Sequence, residues 1–244
     1  MDTAVLTAAR KQLIFALDVP DRKEAARFAR ELNGRVGCFK VGLELFIKEG
    51  PEVLKAVSGE ADADIFLDLK LHDIPATVQG ALRSASALGA RYITLHASGG
   101  KAMLEMSRRA VDEGLEVLAV TVLTSMSPAD LQDQGYPSET TISDLVCRRA
   151  ELARSAGCSG IVCSGEEAAM VRKLCGAIFK IVTPGIRPAW SLVEGDDQSR
   201  IVTPGQAVER GADMIVVGRP IRSAEDPGEA ADRIVRELAG FDAD

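Results

Sequence analysis

The chain has 244 residues, 46% of them hydrophobic, and a formal net charge of −7 at pH 7. This fits one large α/β domain or two small ones with a substantial core. The acidic balance argues against a general nucleic-acid binder, which needs a basic face, and no apolar run approaches the roughly 20 residues of a membrane-spanning helix.

Short apolar runs alternate with amphipathic stretches from one end to the other. Strands are expected at residues 13–18 (LIFALD), 38–43 (CFKVGL), 64–69 (DIFLDL), 91–96 (RYITLH) and 116–123 (EVLAVTVL). Three more are expected at 160–164 (GIVCS), 179–184 (FKIVTP) and 213–218 (DMIVVG). They are short and rich in β-branched residues, as buried parallel strands are. Helices are expected between them, for example at 22–32, 77–88, 101–113 and 143–156. Gly34, Gly89, Gly114, Gly157 and Gly211 stand where left-handed residues would close helices.

Eight strand–helix repeats in a chain of 244 residues match a (β/α)8 TIM barrel. An open doubly wound sheet would normally carry fewer strands and a glycine-rich first turn, whereas Asp18-Val19-Pro20-Asp21 follows the first strand here. No linker or composition shift divides the chain, so a single α/β domain is expected over residues 1–244, with its core at about 11–238.

The N-terminal MDTAVLTAARKQ lacks a basic region followed by a long apolar one, so no secretory signal is expected. The five cysteines form no CxxC pair and read as reduced thiols of a cytoplasmic protein. With His72 and His96 the only histidines, a histidine-rich metal site is not expected.

Most strands end on polar or special residues: Asp18, Lys40, Asp68 with Lys70, His96, Thr124, Ser164, Arg187 and Gly218-Arg219. In a barrel those ends converge on one mouth, where such enzymes carry their active sites. Asp68 and Lys70 are two apart on a strand and leave on one face. Ile65, Leu67 and Leu69 occupy the other face, so the charges point to the barrel axis. Lys40 interrupts an apolar run, where an unpaired ammonium is expensive to bury. Asp18 and Asp68, on the flanking strands, would hold it ionised. Asp73 follows at the start of the next helix.

Each charge alone has a plainer reading. An isolated DxK is usually a surface ion pair, Asp73 can serve a helix N-terminus, Lys40 can snorkel to solvent and Asp18 can be a turn residue. Their co-location at adjacent strand ends favours a functional cluster. Thr183-Pro184-Gly185-Ile186-Arg187 and Gly218-Arg219-Pro220 follow the last two strands. Loops there frequently bind phosphate through glycine backbone and arginine, and Gln198 in the intervening loop can donate a further hydrogen bond. The long loops at 124–141, with Ser125 and Tyr136, and at 185–200, with Trp190, read as lids.

The run FLDLKLHDIPATV carries a DxKxxDIPxT pattern, and FALDV, FKVGLELF, TLHASGG, AVTVLTSM, VTPGIRP and VVGRPI accompany it in order. Together they resemble the orotidine 5′-monophosphate decarboxylase family, in its bacterial, monofunctional type, over about residues 11–235. The full set is specific, whereas DxKxxD alone is shared with other members of a wider superfamily. The first ten residues and the tail after Leu238 lie outside the resemblance.

The resemblance implies a homodimeric barrel of pyrimidine biosynthesis that converts orotidine 5′-monophosphate to UMP and CO2 without metal or organic cofactor. By motif position Lys70 would be the proton donor, with Lys40, Asp68 and Asp73 completing an alternating array. Asp73 and Thr77 would reach the partner subunit's site. Asp18 and Lys40 would contact the ribose, and Thr124 and Ser125 the pyrimidine. Arg187, Gln198, Gly218 and Arg219 would hold the phosphate, with Pro184 beside them.

No nucleic-acid or membrane partner is implied. Two other readings stay open on the residues: a barrel lyase using Mg²⁺ on a sugar phosphate, and a non-catalytic phosphate-sensing barrel.

Overall fold

The computed structural model describes residues 3–191 and 202–241. Eight parallel strands close into one barrel in chain order, the (β/α)8 TIM barrel expected from the repeats. They are β1 (Leu13–Ala16), β2 (Cys38–Gly42), β3 (Asp64–Leu71), β4 (Tyr92–His96), β5 (Glu116–Val120), β6 (Gly160–Val162), β7 (Lys180–Thr183) and β8 (Met214–Val217). β1 pairs with β2 on one side and with β8 on the other, which closes the ring.

The period of two sorts each strand. Ile14, Cys38, Phe66, Tyr92, Leu118, Val182 and Met214 turn inward and pack on one another as the barrel's interior. Their neighbours Phe15, Phe39, Leu67, Ile93, Ala119, Ile161 and Ile215 turn outward, under the helices. Phe15, Phe39 and Phe66 are fully buried, and each side chain of that size contributes roughly 1.5–3 kcal/mol by burial.

Several bounds differ from the sequence expectation. β5 ends at Val120, short of residue 123, and just beyond it the Thr121 amide and hydroxyl both donate to the Val162 carbonyl, at 3.1 and 2.9 Å. The single helix expected over 101–113 is two, Lys101–Leu104 and Ser107–Asp112. Buried positions Met103, Ser107 and Ala110 continue across the break, so apolar spacing does not register it. A helix not anticipated in the sequence, Thr3–Gln12, precedes β1 and lies against Pro227–Leu238.

Helix termini follow local chemistry. Helix Ile142–Ala156 begins with a reciprocal Thr141–Asp144 capping box and stops at Gly157, whose φ of 92° only glycine adopts without strain. Gly160 answers a different constraint: a Cβ there would sit 2.4 Å from the Lys180 carbonyl oxygen across the β6–β7 pair. The expected lid after β5 contains helix Pro128–Asp133, capped by Ser127. Arg149 ties that loop down, donating to the Thr121 carbonyl at 2.6 Å and to the Tyr136 hydroxyl at 3.0 Å. No helix among the described residues is long and apolar enough to cross a membrane.

The β3–β4 pairing contains an irregularity. Leu67 aligns with Ile93, but Leu71 aligns with Leu95, so β3 carries two more residues than β4 across that stretch. An insertion of two keeps every side chain on its original face. It also bends the strand at Lys70, whose φ of 50° is the only positive value at a non-glycine among the described residues. That conformation costs about 1–2 kcal/mol.

His96 ends β4 with its ring centroid 5.6 Å from that of His72. Burial, then the positive fields of His72, Lys70 and Arg149, hold its imidazole below the ordinary value of 6.5, against an opposing pull from Asp68. The unfolded chain therefore takes up this proton at a higher pH than the folded chain, so stability is lost as pH falls below 6.5. Denaturant melts at about pH 7.5 and 5.5 should show a smaller loss for His96→Gln than for the unsubstituted chain. Equal losses would contradict this assignment.

Candidate active site

The inward face of each strand continues from the apolar interior to the barrel mouth. On β2, Cys38 is followed two residues on by Lys40; on β3, Phe66 is followed by Asp68 and Lys70; on β4, Tyr92 is followed by Thr94. The expected convergence of strand-end charges is therefore present. Lys70 Nζ donates to Asp68 Oδ1 at 2.8 Å. Lys40 Nζ lies 3.4 Å from Asp68 Oδ2 and 3.6 Å from Asp18 Oδ1. The result is an alternating run, Lys70–Asp68–Lys40–Asp18.

The run is partly dry. Side-chain exposure is 14% at Asp68 and 11% at Lys40, against 29% at Lys70 and 57% at Asp18. Burial pushes the Asp68 carboxyl up. The Lys40 and Lys70 ammoniums, with hydrogen bonds from Lys70 and Thr94, outweigh it and leave the group below its ordinary value of 3.8. Asp68 is thus held ionised between two cations.

Two adjoining cavities meet at this run, sharing Lys40, Asp68, Pro184 and Val216 in their walls. The deeper lobe, about 160 Å³, is mostly apolar, with Val120, Val122, Leu123 and Val162 around Phe66 and Thr124 at its edge. Lys70 also lines it. The outer lobe, about 430 Å³, is walled by Asp18, Gly185, Arg187, Gly218, Arg219 and Arg222.

The arginines differ in setting. Arg187 is 5% exposed and is held by its amide on the Val202 carbonyl at 3.1 Å and its Nη1 on the Ile186 carbonyl at 3.0 Å. Arg219 is exposed and opens the short turn of helix Arg219–Arg222. Gly218 stands beside Asp18 in that wall: a Cβ there would lie 3.5 Å from Asp18 Oδ2, an ordinary van der Waals contact.

Other expected residues fall elsewhere. Ser125 is exposed and outside both walls, although its neighbour Thr124 lines the apolar lobe. Asp73 is exposed; its Oδ1 accepts from the Ile74 amide at 2.6 Å, and among the described residues it joins no ion pair of its own chain. Thr77 is likewise exposed, on helix Pro75–Ala87. Ser164 accepts from the Glu166 amide at 3.1 Å and shapes a turn. Gln198 lies outside the described residues. Trp190 packs under the Arg233 guanidinium, 4.7 Å from its ring centroid. No group of three His, Cys, Asp or Glu among the described residues is placed to hold a metal ion.

Sequence reasoning missed Thr94 and Arg222. Thr94 was visible as the single aliphatic hydroxyl on the inward face of YITLH, aligned with the charged face of β3. Arg222 follows Arg219 by three residues, one helical turn on, and its guanidinium donates to the Asp18 carbonyl.

The model of the Orotidine 5'-phosphate decarboxylase / HUMPS family matches residues 11–234. Curated proteins named Orotidine 5'-phosphate decarboxylase, a carboxy-lyase, are close in sequence. That of Desulfosudis oleivorans is 48% identical over 95% of this chain and 94% of its own. That of Paramagnetospirillum magneticum is 48% identical over 91% and 96%. Among solved structures, orotidine 5'-phosphate decarboxylase from Lactobacillus acidophilus superposes with a TM-score of 0.80 at 34% identity, covering 93% of this chain and 98% of that one. The enzyme from Pyrococcus horikoshii OT3 gives 0.75 at 28% identity, covering 94% and 100%. With a barrel mouth of this composition and a match spanning nearly all its length, the chain belongs to the Orotidine 5'-phosphate decarboxylase / HUMPS family.

Proposed function

We propose that this chain decarboxylates orotidine 5′-monophosphate to UMP and CO2, the last step of de novo UMP synthesis, with Lys70 as proton donor. The observation that carries the reading is the Lys70–Asp68–Lys40–Asp18 run at the junction of an apolar lobe and an arginine-walled one. A nucleoside monophosphate has the matching polarity: a flat base, a ribose and a dianion.

The base enters the apolar lobe beside Thr124 and Ser125, the ribose meets Asp18 and Lys40, and the phosphate lies on Arg187, Gly218 and Arg219. Pro184 flanks it, and Gln198 adds a donor. Phosphate contacts remote from C6 supply binding energy for closure and orientation at the reacting carbon.

The chemistry must place an electron pair on C6, which has no adjacent electron sink. The C6–carboxylate bond breaks, CO2 departs, and the pair stays on C6. The Lys70 ammonium stabilises that charge and gives C6 its proton, then recovers one from solvent. Asp68, ionised and fixed, crowds the substrate carboxylate and favours its departure. No step calls for a metal or organic cofactor.

The active form is a homodimer in the cytoplasm, each chain a single barrel domain with its core at about residues 11–238. Asp73 and Thr77 act across the interface. Their exposure within one chain leaves both free to do so.

Lys70→Ala should lower kcat by roughly a thousandfold or more while the thermal melt stays cooperative; near-normal turnover would remove Lys70 from the chemistry. Mixing inactive Lys70→Ala and Asp73→Ala chains should restore up to about a quarter of full activity, because half the dimers then hold one intact site of two. No recovery from exchanged dimers would place Asp73 in its own chain's site.

A further inference from the structure

Thr94 touches neither cavity wall, yet it is fully buried at the centre of the charged run. Its hydroxyl donates to Asp68 Oδ1 at 2.9 Å and accepts from the Lys70 amide, also at 2.9 Å. Both bonds fall inside the β3–β4 register irregularity, at the residue whose φ is 50°. We propose that Thr94 is a positioning residue, whose one hydroxyl fixes the Asp68 carboxylate and clamps the strained Lys70 backbone so that its ammonium meets the reacting carbon. This rests on the proposed role of Lys70 as proton donor.

The reasoning is geometric. Asp68 Oδ1 already accepts from Lys70 Nζ at 2.8 Å, so Thr94 and Lys70 converge on the same oxygen. Asp68 Oδ2 is left to face Lys40. Thr94 therefore determines which oxygen meets which ammonium. It also gives a partner to the backbone amide of Lys70, the residue whose φ is 50°. Without the hydroxyl, Lys70 can relax to an ordinary negative φ. That rotation carries the side chain off its line, and a misplacement of about 1 Å can slow a reaction 100-fold.

The test compares Thr94→Val, which keeps the shape and removes the hydroxyl, with Thr94→Ser, which keeps the hydroxyl. Thr94→Val is expected to lower kcat about 10- to 100-fold, with unchanged stoichiometry and affinity for UMP. Thr94→Ser is expected to stay within about three-fold of the unsubstituted enzyme. A Thr94→Val kcat within about two-fold would overturn the inference, as would a loss that parallels a loss of UMP-binding sites, since that is a folding defect.

A second readout needs no turnover: hydrogen exchange at the Lys70 amide should be faster in Thr94→Val while other β4 amides hold their rates. Unchanged exchange at Lys70 would equally sink the clamp. If Thr94→Val does not fold, Thr94→Ala, with room for a water, is read by the same two measures. An unsubstituted chain without decarboxylase activity would count against the proposed function instead, and Lys70 amide exchange would still decide the clamp.

Discussion

Asp68 is a carboxylate taken largely out of water and set between two ammonium groups, and the site is organised around that triplet. It is the carboxylate that both lysines share. Lys40 is 11% exposed, and deleting one partner of a buried ion pair typically costs 3–5 kcal/mol because the other charge is left uncompensated. Conversely, the two cations keep Asp68 ionised against its own burial. Charge, position and protonation state are set together, so the triplet acts as one group rather than three. In the proposed reaction the same carboxylate crowds the substrate while it aims Lys70.

The barrel delivers those charges by a simple repeat. On β2, β3 and β4 the inward face starts on Cys38, Phe66 and Tyr92 in the closed interior and moves toward the mouth two residues later. Lys40, Asp68 and Thr94 arrive on β2, β3 and β4 by that rule, so neighbouring strands present them side by side. The exception is where the chemistry is proposed to occur. Two extra residues in β3 carry Lys70 one step further into the mouth than regular pairing allows, at the cost of a left-handed backbone. Strain of this kind persists where the surroundings over-determine it, and Thr94 supplies two of the bonds that do so.

Much of this was legible in the sequence. The eight apolar runs, the glycines that end helices, and the strand-end positions of Asp18, Lys40, Asp68, Arg187 and Arg219 all follow from period and placement. The rest was not, for physical reasons. A two-residue insertion preserves the alternation of side chains, so DIFLDLKL reads as a regular strand although its register shifts at Lys70. Thr94 looks like an ordinary β-former until its partner strand is aligned. The split of residues 101–113 into two helices leaves the apolar spacing intact. Ser125 follows a lining residue but is exposed in a turn beyond the end of β5, where strand periodicity no longer assigns faces. Asp73 and Thr77 are exposed within one chain, so their proposed role, which needs a second copy, has no signature in the structure of one.

The most direct measurement is a spectrophotometric decarboxylation assay on the purified chain with orotidine 5′-monophosphate, run with and without EDTA. The expected result is stoichiometric formation of UMP and CO2 at a rate that chelation leaves unchanged. Tight UMP binding with no turnover of orotidine 5′-monophosphate, or turnover that vanishes with EDTA, would contradict it.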